Sequence, residues 1–310
     1  MIVQFSPDLT RESIYANGSE LAQIMGLDRD EDGRKVESFQ PEKRMYVTAI
    51  INPVLVTDIY RISRLEPVTR DTVTALLASP VRTTEFENTS VTFRQAKYPT
   101  VWGPSIDTLL FTKALKSIDF SGVKSAVEIG CGSGFISKYI LNNAPSLEKI
   151  TLVDINQYAI ECAMENIDDQ RAEFIIGNGL DFINRKRFDL ILCNPPYIPR
   201  PDSIASNAYE GIGLLRHFVM YAGDYLKKNG LLVTNISSLC RNDIMGMLEK
   251  LGLVLEELVE EIEGMDVPLK IMNVLNNKKW LDFLVKNKGL KKSYHDGYDY
   301  WHRISICQRR

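Results

Sequence analysis

Residues 189–199 read Asp-Leu-Ile-Leu-Cys-Asn-Pro-Pro-Tyr-Ile-Pro, an apolar run that ends abruptly in a stiff tetrad. Leu190 to Cys193 are apolar in succession, the pattern of a strand buried on both faces in a parallel sheet. Neither Pro195 nor Pro196 has a backbone N–H to continue a ladder, so the strand stops there and the chain leaves the sheet rigidly. In open α/β sheets ligands sit beyond the carboxyl ends of the strands, where Asn194 and Tyr197 are expected to project. The Asn194 side-chain carbonyl and the Pro195 backbone carbonyl are two acceptors, enough to hold both hydrogens of a planar –NH2. Held that way, the nitrogen can be turned out of conjugation so that its lone pair faces an electrophile. Tyr197 offers an aromatic face for a flat amide or base, with Pro196 lining the same site. Without a ligand, the same residues make a rigid turn whose asparagine caps a helix.

The stretch upstream favours a ligand. Val127-Glu128-Ile129-Gly130-Cys131-Gly132-Ser133-Gly134 joins an apolar strand to a helix through glycines at every second position. Gly130, Gly132 and Gly134 let the backbone turn tightly and approach a bound group with no Cβ in the way. A dinucleotide loop of the Gly-x-Gly-x-x-Gly type needs a third glycine where Phe135 stands, which favours a different nucleoside. Glu128, just before the loop, suits a cationic amino group, and the backbone at Cys131 lies in the same turn. Asp154 ends the next apolar run, about twenty positions on, where an acidic side chain can take two ribose hydroxyls. Ile155 is then expected against a flat base. At the end of a third strand stands Gly177-Asn178-Gly179, in which the Asn178 carbonyl can accept from a base amino group. Read alone, Asp154 is a helix cap and Asn178 a turn residue; their order and spacing point to the ligand.

The remainder of the chain sets the frame. At 310 residues it has room for two domains, and 45% hydrophobic with 25% charged residues is ordinary for a soluble globular protein. A net charge of −3 gives no global signature for nucleic acid. The N-terminus shows no basic-then-apolar leader and no apolar run reaches membrane-spanning length, so no membrane partner is expected. Five scattered cysteines without paired spacing, and three histidines, argue for reduced thiols in a cytoplasm and no metal site.

We read residues 1–95 as a small, mostly helical N-terminal domain, with helices near Met45–Tyr60 and Thr69–Ala78 and a β-hairpin over Val81–Phe93 turning near Asn88. From residue 96 strands alternate with helices, the mark of a parallel sheet built from βα units. The strands are expected at Ala126–Ile129, Ile150–Val153, Glu173–Ile176, Leu190–Cys193 and Leu231–Asn235. A long helix is expected from Leu214 to Lys228, with Gly230 just beyond.

With these residues placed, the chain from about Ala96 resembles the class I S-adenosylmethionine-dependent methyltransferases. Within them it is similar to the HemK-like protein-glutamine N5-methyltransferases, which act on peptide-chain release factors. The resemblance rests on Val101-Trp102-Gly103-Pro104 with Asp107-Thr108, the Glu128–Gly134 loop, Asp154, the Asn194–Pro199 stretch, and Tyr209-Glu210-Gly211-Ile212-Gly213-Leu214. It implies a Rossmann-like α/β sheet with helices on both faces, S-adenosyl-L-methionine as cofactor, and methyl transfer to an amide or amino nitrogen. It also implies cofactor contacts from Asp107 and Asn194. The chain departs from the family at Asn178, where an acidic residue is usual, and residues 1–100 match no family pattern.

The C-terminus carries a competing signal. Lys270, Lys278, Lys279, Lys286, Lys288, Lys291, Lys292, Arg303, Arg309 and Arg310, with Tyr294, Tyr298, Tyr300 and Trp301 among them, can make an RNA surface. Such a run is also a solvated face, able to pair with the acidic stretch Glu256–Glu263. Residues 264–296 read as an insertion, with a helix around Trp280, Leu281, Phe283 and Leu284, before a last strand at His302–Gln308. The acceptor is therefore expected to be a protein glutamine or, alternatively, an RNA or DNA base amino group. A non-catalytic cofactor-binding subunit is the third reading, against which the intact tetrad argues.

Overall fold

A computed structural model of the chain describes residues 82–93, 98, 101–184, 186–204, 211–250, 252, 260–269, 272–275, 277–295 and 298–309. The helices expected within residues 45–78, and the Tyr209-Glu210 pair, lie outside the described residues.

Short runs of alternating or continuous apolar residues form the strands, and from β3 to β7 each is followed by a helix. The order is β1 (Arg82–Phe86), β2 (Thr89–Phe93), α1 (Ile106–Leu115), β3 (Ser125–Ile129), α2 (Phe135–Asn143), β4 (Lys149–Asp154), α3 (Gln157–Asn166), β5 (Ala172–Ile176), α4 (Gly179–Ile183) and β6 (Phe188–Cys193). There follow α5 (Gly213–Tyr225), β7 (Leu226–Ser237), α6 (Arg241–Glu249), β8 (Glu260–Pro268), α7 (Met272–Leu275), α8 (Lys278–Asn287), β9 (Lys291–His295) and β10 (Tyr298–Arg309). Strands β5-β4-β3-β6-β7-β10-β8 lie side by side in that order, with β9 paired to β10. β3 to β7 run parallel, and β10 lies antiparallel to both β7 and β8. The order reverses between β3 and β6, and ligand clefts open beyond the strand ends at such a point. The glycine loop follows β3, and the Asn-Pro-Pro-Tyr tetrad follows β6.

Alternate strand residues divide the core between two helical layers. Ala126, Ile150, Leu152, Leu190, Leu192 and Val233 pack with α1, α2 and α3, whereas Val127, Ile129, Val153, Ile191, Cys193 and Leu232 pack with α4 and α5. Leu190, Ile191, Leu192 and Cys193 are each 0% exposed, as the unbroken apolar run requires. Burial of each leucine or isoleucine there is worth about 1.5–3 kcal/mol.

Several boundaries differ from expectation, among them β7, which spans Leu226–Ser237 where Leu231–Asn235 was expected. The long helix stops at Tyr225, not Lys228, because Leu226 already pairs with Phe188 as the start of β7. The left-handed turn falls on Asn229 (φ 65); Gly230 is needed instead for closeness, since a Cβ there would sit 2.8 Å from the Phe188 carbonyl. The last strand is longer than expected, Tyr298–Arg309. The hairpin β1–β2 packs on α2: Lys138 Nζ donates to the Ser90 carbonyl at 2.7 Å and Asn142 Nδ2 to the Asn88 carbonyl at 2.9 Å.

Candidate active site

The glycine loop is shaped by its backbone. Gly130, Gly132 and Gly134 have φ of 75°, 53° and 79°, left-handed values that a side chain makes costly. Gly130 N donates to the Val153 carbonyl at 2.8 Å and Gly134 N to the Cys131 carbonyl at 2.8 Å, so the loop folds over the end of β4. Beside Gly130 the space is open, whereas a Cβ on Gly132 would come within 3.2 Å of the Trp102 carbonyl. Gly134 is closed in by Ala163 and Ile167, both 3.0 Å from where a Cβ would stand. Cys131 contributes backbone to this turn; burial pushes its thiol pKa well up, leaving it an apolar filler.

Glu128 lies beneath the loop, at the end of β3. It is 2% exposed, and its carboxyl accepts the Ser137 N–H at 2.9 Å and the Ser137 hydroxyl, within the first turn of α2. Both bonds fall on Oε2, so through them Glu128 braces the loop from beneath. Burial raises its pKa to about 8, against the lowering effect of the two Ser137 bonds. Asp154 stands at the cleft: Oδ2 accepts Gly132 N–H at 3.1 Å and Oδ1 accepts Asn156 N–H at 2.9 Å. The Ile155 N–H also bonds to this carboxylate, which leaves one lone pair for a hydroxyl donor. Burial outweighs those bonds and raises its pKa.

Beyond Asp154, Ile155 is 50% exposed, and Ile176, which pairs with Asp154 across β4–β5, is 59% exposed. Two large apolar side chains left bare at adjoining strand ends suit the faces of a flat ring. Ile176 went unnoticed in the sequence because a strand-end isoleucine looks like core. Asn178 serves as a cap: its Oδ1 accepts Leu180 N–H at 3.0 Å. Gly179 is needed for packing, because a Cβ there would lie 2.3 Å from Ile129 Cγ2.

The tetrad is organised by Asp107, in the first turn of α1 and 6% exposed. Its Oδ2 accepts from Asn194 Nδ2 at 3.2 Å, its Oδ1 accepts from the Ser105 hydroxyl, and the Tyr197 hydroxyl also bonds to its carboxylate. Asp107 thus meets the acceptor side of the cleft, where family resemblance implied a cofactor contact. Asn194 Oδ1 accepts from Asn235 Nδ2 at 2.5 Å, leaving one lone pair on that carbonyl. Pro195 is buried and Pro196 half-buried behind them. Tyr197 leans on His302, with ring centroids 5.9 Å apart at 43°. Burial, then the charge and hydrogen bond of Asp107, push the Tyr197 pKa well above its ordinary value. His302 itself is lowered to about 4 by burial, and its Nδ1 lies 2.9 Å from the Ser237 hydroxyl, so it is a neutral packing ring. Neither Asn235 nor His302 was singled out from sequence; each looks like an ordinary strand residue.

The C-terminal insertion braces the same loop. Trp280, 2% exposed on α8, donates Nε1–H to the Pro199 carbonyl at 2.8 Å, and packs with Ile198, Leu239, Leu269, Val274, Leu284 and Leu290. Asn277 caps α8 by accepting Trp280 N–H at 3.1 Å. Part of the basic run is neutralised locally, by Lys288–Asp243 at 2.5 Å and Arg303–Glu261 at 3.3 Å, while Lys278, Lys279, Lys286, Lys291 and Lys292 stay exposed. His217 pairs with the Tyr225 hydroxyl at 2.9 Å along α5.

Comparison with known proteins agrees with this geometry. The methyltransferase small domain family matches residues 106–260. A Methanocaldococcus jannaschii protein provisionally named a protein N5-glutamine methyltransferase is 31% identical over 191 residues, covering 58% of this chain and 92% of that protein. A release factor glutamine methyltransferase of Fusobacterium nucleatum is 28% identical over 158 residues, 45% of this chain and 44% of its own length. A ribosomal protein uL3 glutamine methyltransferase of Francisella tularensis is 28% identical over 137 residues, 39% and 43% respectively. The chain thus spans less than half the length of these two bacterial relatives. The open glycine loop, the remaining lone pair of Asp154 and the bare faces of Ile155 and Ile176 suit S-adenosylmethionine. With its tetrad intact and its sheet in this order, the chain belongs to the methyltransferase small domain family, among the HemK-like S-adenosylmethionine-dependent N-methyltransferases.

Proposed function

We propose that this protein methylates the side-chain amide nitrogen of a glutamine in a protein substrate, of the release-factor kind or another glutamine-bearing chain. The observation that carries the reading is the Asn194 amide, held at both ends by Asp107 and Asn235 at the carboxyl end of β6. Gly130, Gly132, Asp154 and Ile155 would hold S-adenosylmethionine, which when bound supplies an electrophilic methyl group. The remaining Asn194 Oδ1 lone pair and the Pro195 carbonyl accept the two amide hydrogens. That holds the nitrogen with its lone pair toward the methyl carbon. Tyr197, fixed through its hydroxyl, lies along the amide plane. The nitrogen's proton becomes acidic as the new N–C bond forms, so little prior base catalysis is needed, and positioning supplies most of the acceleration.

In this reading residues 1–95 form the unit that selects the acceptor, and five buried free cysteines suit a reducing cytoplasm. The exposed lysines of α8 and β9 favour a second reading, an amino group of an RNA base as the acceptor.

The test supplies cofactor with a labelled methyl group to the protein in a cell extract and divides the product between protease and nuclease digestion. Label recovered as methylated glutamine is expected; nuclease-sensitive label would replace the reading with the RNA one. Asn194→Ala should abolish transfer with cofactor affinity nearly intact, and equal loss of both would remove the role given to Asn194.

A further inference from the structure

Asn235 lies one position beyond the Cys193–Thr234 pair of β6 and β7, beside Asn194, and is 0% exposed. Its Nδ2 donates to Asn194 Oδ1, while its own Oδ1 is buried with no partner. A carboxylate can only accept, and Asp107 already gathers donors from Ser105, Asn194 and Tyr197. Asp107 therefore turns the –NH2 end of Asn194 toward itself and the carbonyl end toward Asn235. That carbonyl in turn demands the –NH2 end of Asn235, which leaves Asn235 Oδ1 with nothing to accept. A buried carbonyl without a partner destabilises the fold, and an apolar side chain of similar size would avoid the loss. Packing thus gives no reason for an amide at 235, and its donor does.

Resting on the transfer reading above, we infer that Asn235 is a positioning residue: it locks the Asn194 carbonyl in the direction that receives the acceptor nitrogen. It touches neither acceptor nor cofactor and acts through Asn194. The Asp107–Asn194–Asn235 chain carries a polarity, one acceptor at one end and one donor at the other, and catalysis depends on its sense.

Three variants test this, with kcat, cofactor Kd and Tm measured for each. Asn235→Asp puts carboxylates at both ends of one amide, and Asn235→Leu removes the donor. Each should lower kcat about tenfold to a hundredfold, as loss of a buried polar partner predicts, with cofactor Kd changed less than about twofold. The exchange Asp107→Asn with Asn235→Asp restores one acceptor and one donor but in the reverse sense. Its Tm should recover toward the wild-type value while kcat stays low. Recovery of kcat together with Tm would reduce Asn235 to a structural residue and overturn the inference, as would wild-type kcat in Asn235→Leu. The Asn194 side-chain amide signals in 15N-labelled protein report the lock without turnover. They should shift in Asn235→Asp, and unchanged signals would overturn the lock. A wild-type protein that methylates no amide, yet shows that shift, would sink the transfer reading while upholding the lock on Asn194.

Discussion

Replacing Glu128 by Gln removes a buried ionisable group and keeps its shape. In the folded protein the carboxyl titrates at about 8, against an ordinary value of 4.5, because burial penalises its charged form. Between those values the folded state holds a proton that the unfolded state releases, so this group lowers stability as pH rises from about 4.5 to 8. The gap of 3.5 units, at about 1.4 kcal/mol per unit, comes to about 5 kcal/mol across the window. The glutamine carbonyl oxygen, standing where Oε2 is, still accepts both the Ser137 N–H and the Ser137 hydroxyl, so the brace under the loop persists. Urea unfolding of both proteins at pH 5 and pH 9 measures the effect. At pH 5 the two should differ by about 1 kcal/mol, and at pH 9 the variant should be the more stable by about 5 kcal/mol. A difference that is the same at both pH values would refute the claim that Glu128 ionises against its burial.

Two other perturbations probe the two sides of the cleft. Gly134→Ala forces a side chain into a φ of 79° and against Ala163 and Ile167, so it should cost about 1–2 kcal/mol or more in denaturant unfolding and weaken cofactor binding by calorimetry. Trp280→Phe keeps the apolar packing but removes the donor to the Pro199 carbonyl; about 1 kcal/mol of stability should be lost. Its KM for the acceptor should rise while cofactor Kd holds, and a change confined to cofactor binding would disconnect α8 from the acceptor loop.

Much of the site was legible because its chemistry is local. Three alternating glycines announce a backbone that needs left-handed φ, and Asn-Pro-Pro-Tyr announces a strand that must stop with a polar group at its tip. These are properties of a few consecutive residues, and β3, β4, β5 and β6 fell within one or two residues of the expected bounds for the same reason. The Ser137 partner of Glu128 was not legible, because position in a strand says nothing of which helix covers that face. In β3 Glu128 shares a face with Ala126, the face covered by α2, and so meets Ser137.

The amino-acid sequence by itself determined the strand–loop–helix units, the glycine turn and the tetrad, since hydrophobic period, proline and glycine act through the nearest neighbours. Tertiary structure decided the partners that give the tetrad its orientation. Asp107 stands 87 residues before Asn194, Asn235 stands 41 after it, and Trp280 stands 81 after Pro199. Parallel pairing of β6 with β7 sets Asn235 beside Asn194, and packing of α1 and α8 around that corner brings Asp107 and Trp280 to it. Local sequence specifies none of these contacts, because each depends on where the sheet places the far end of the chain.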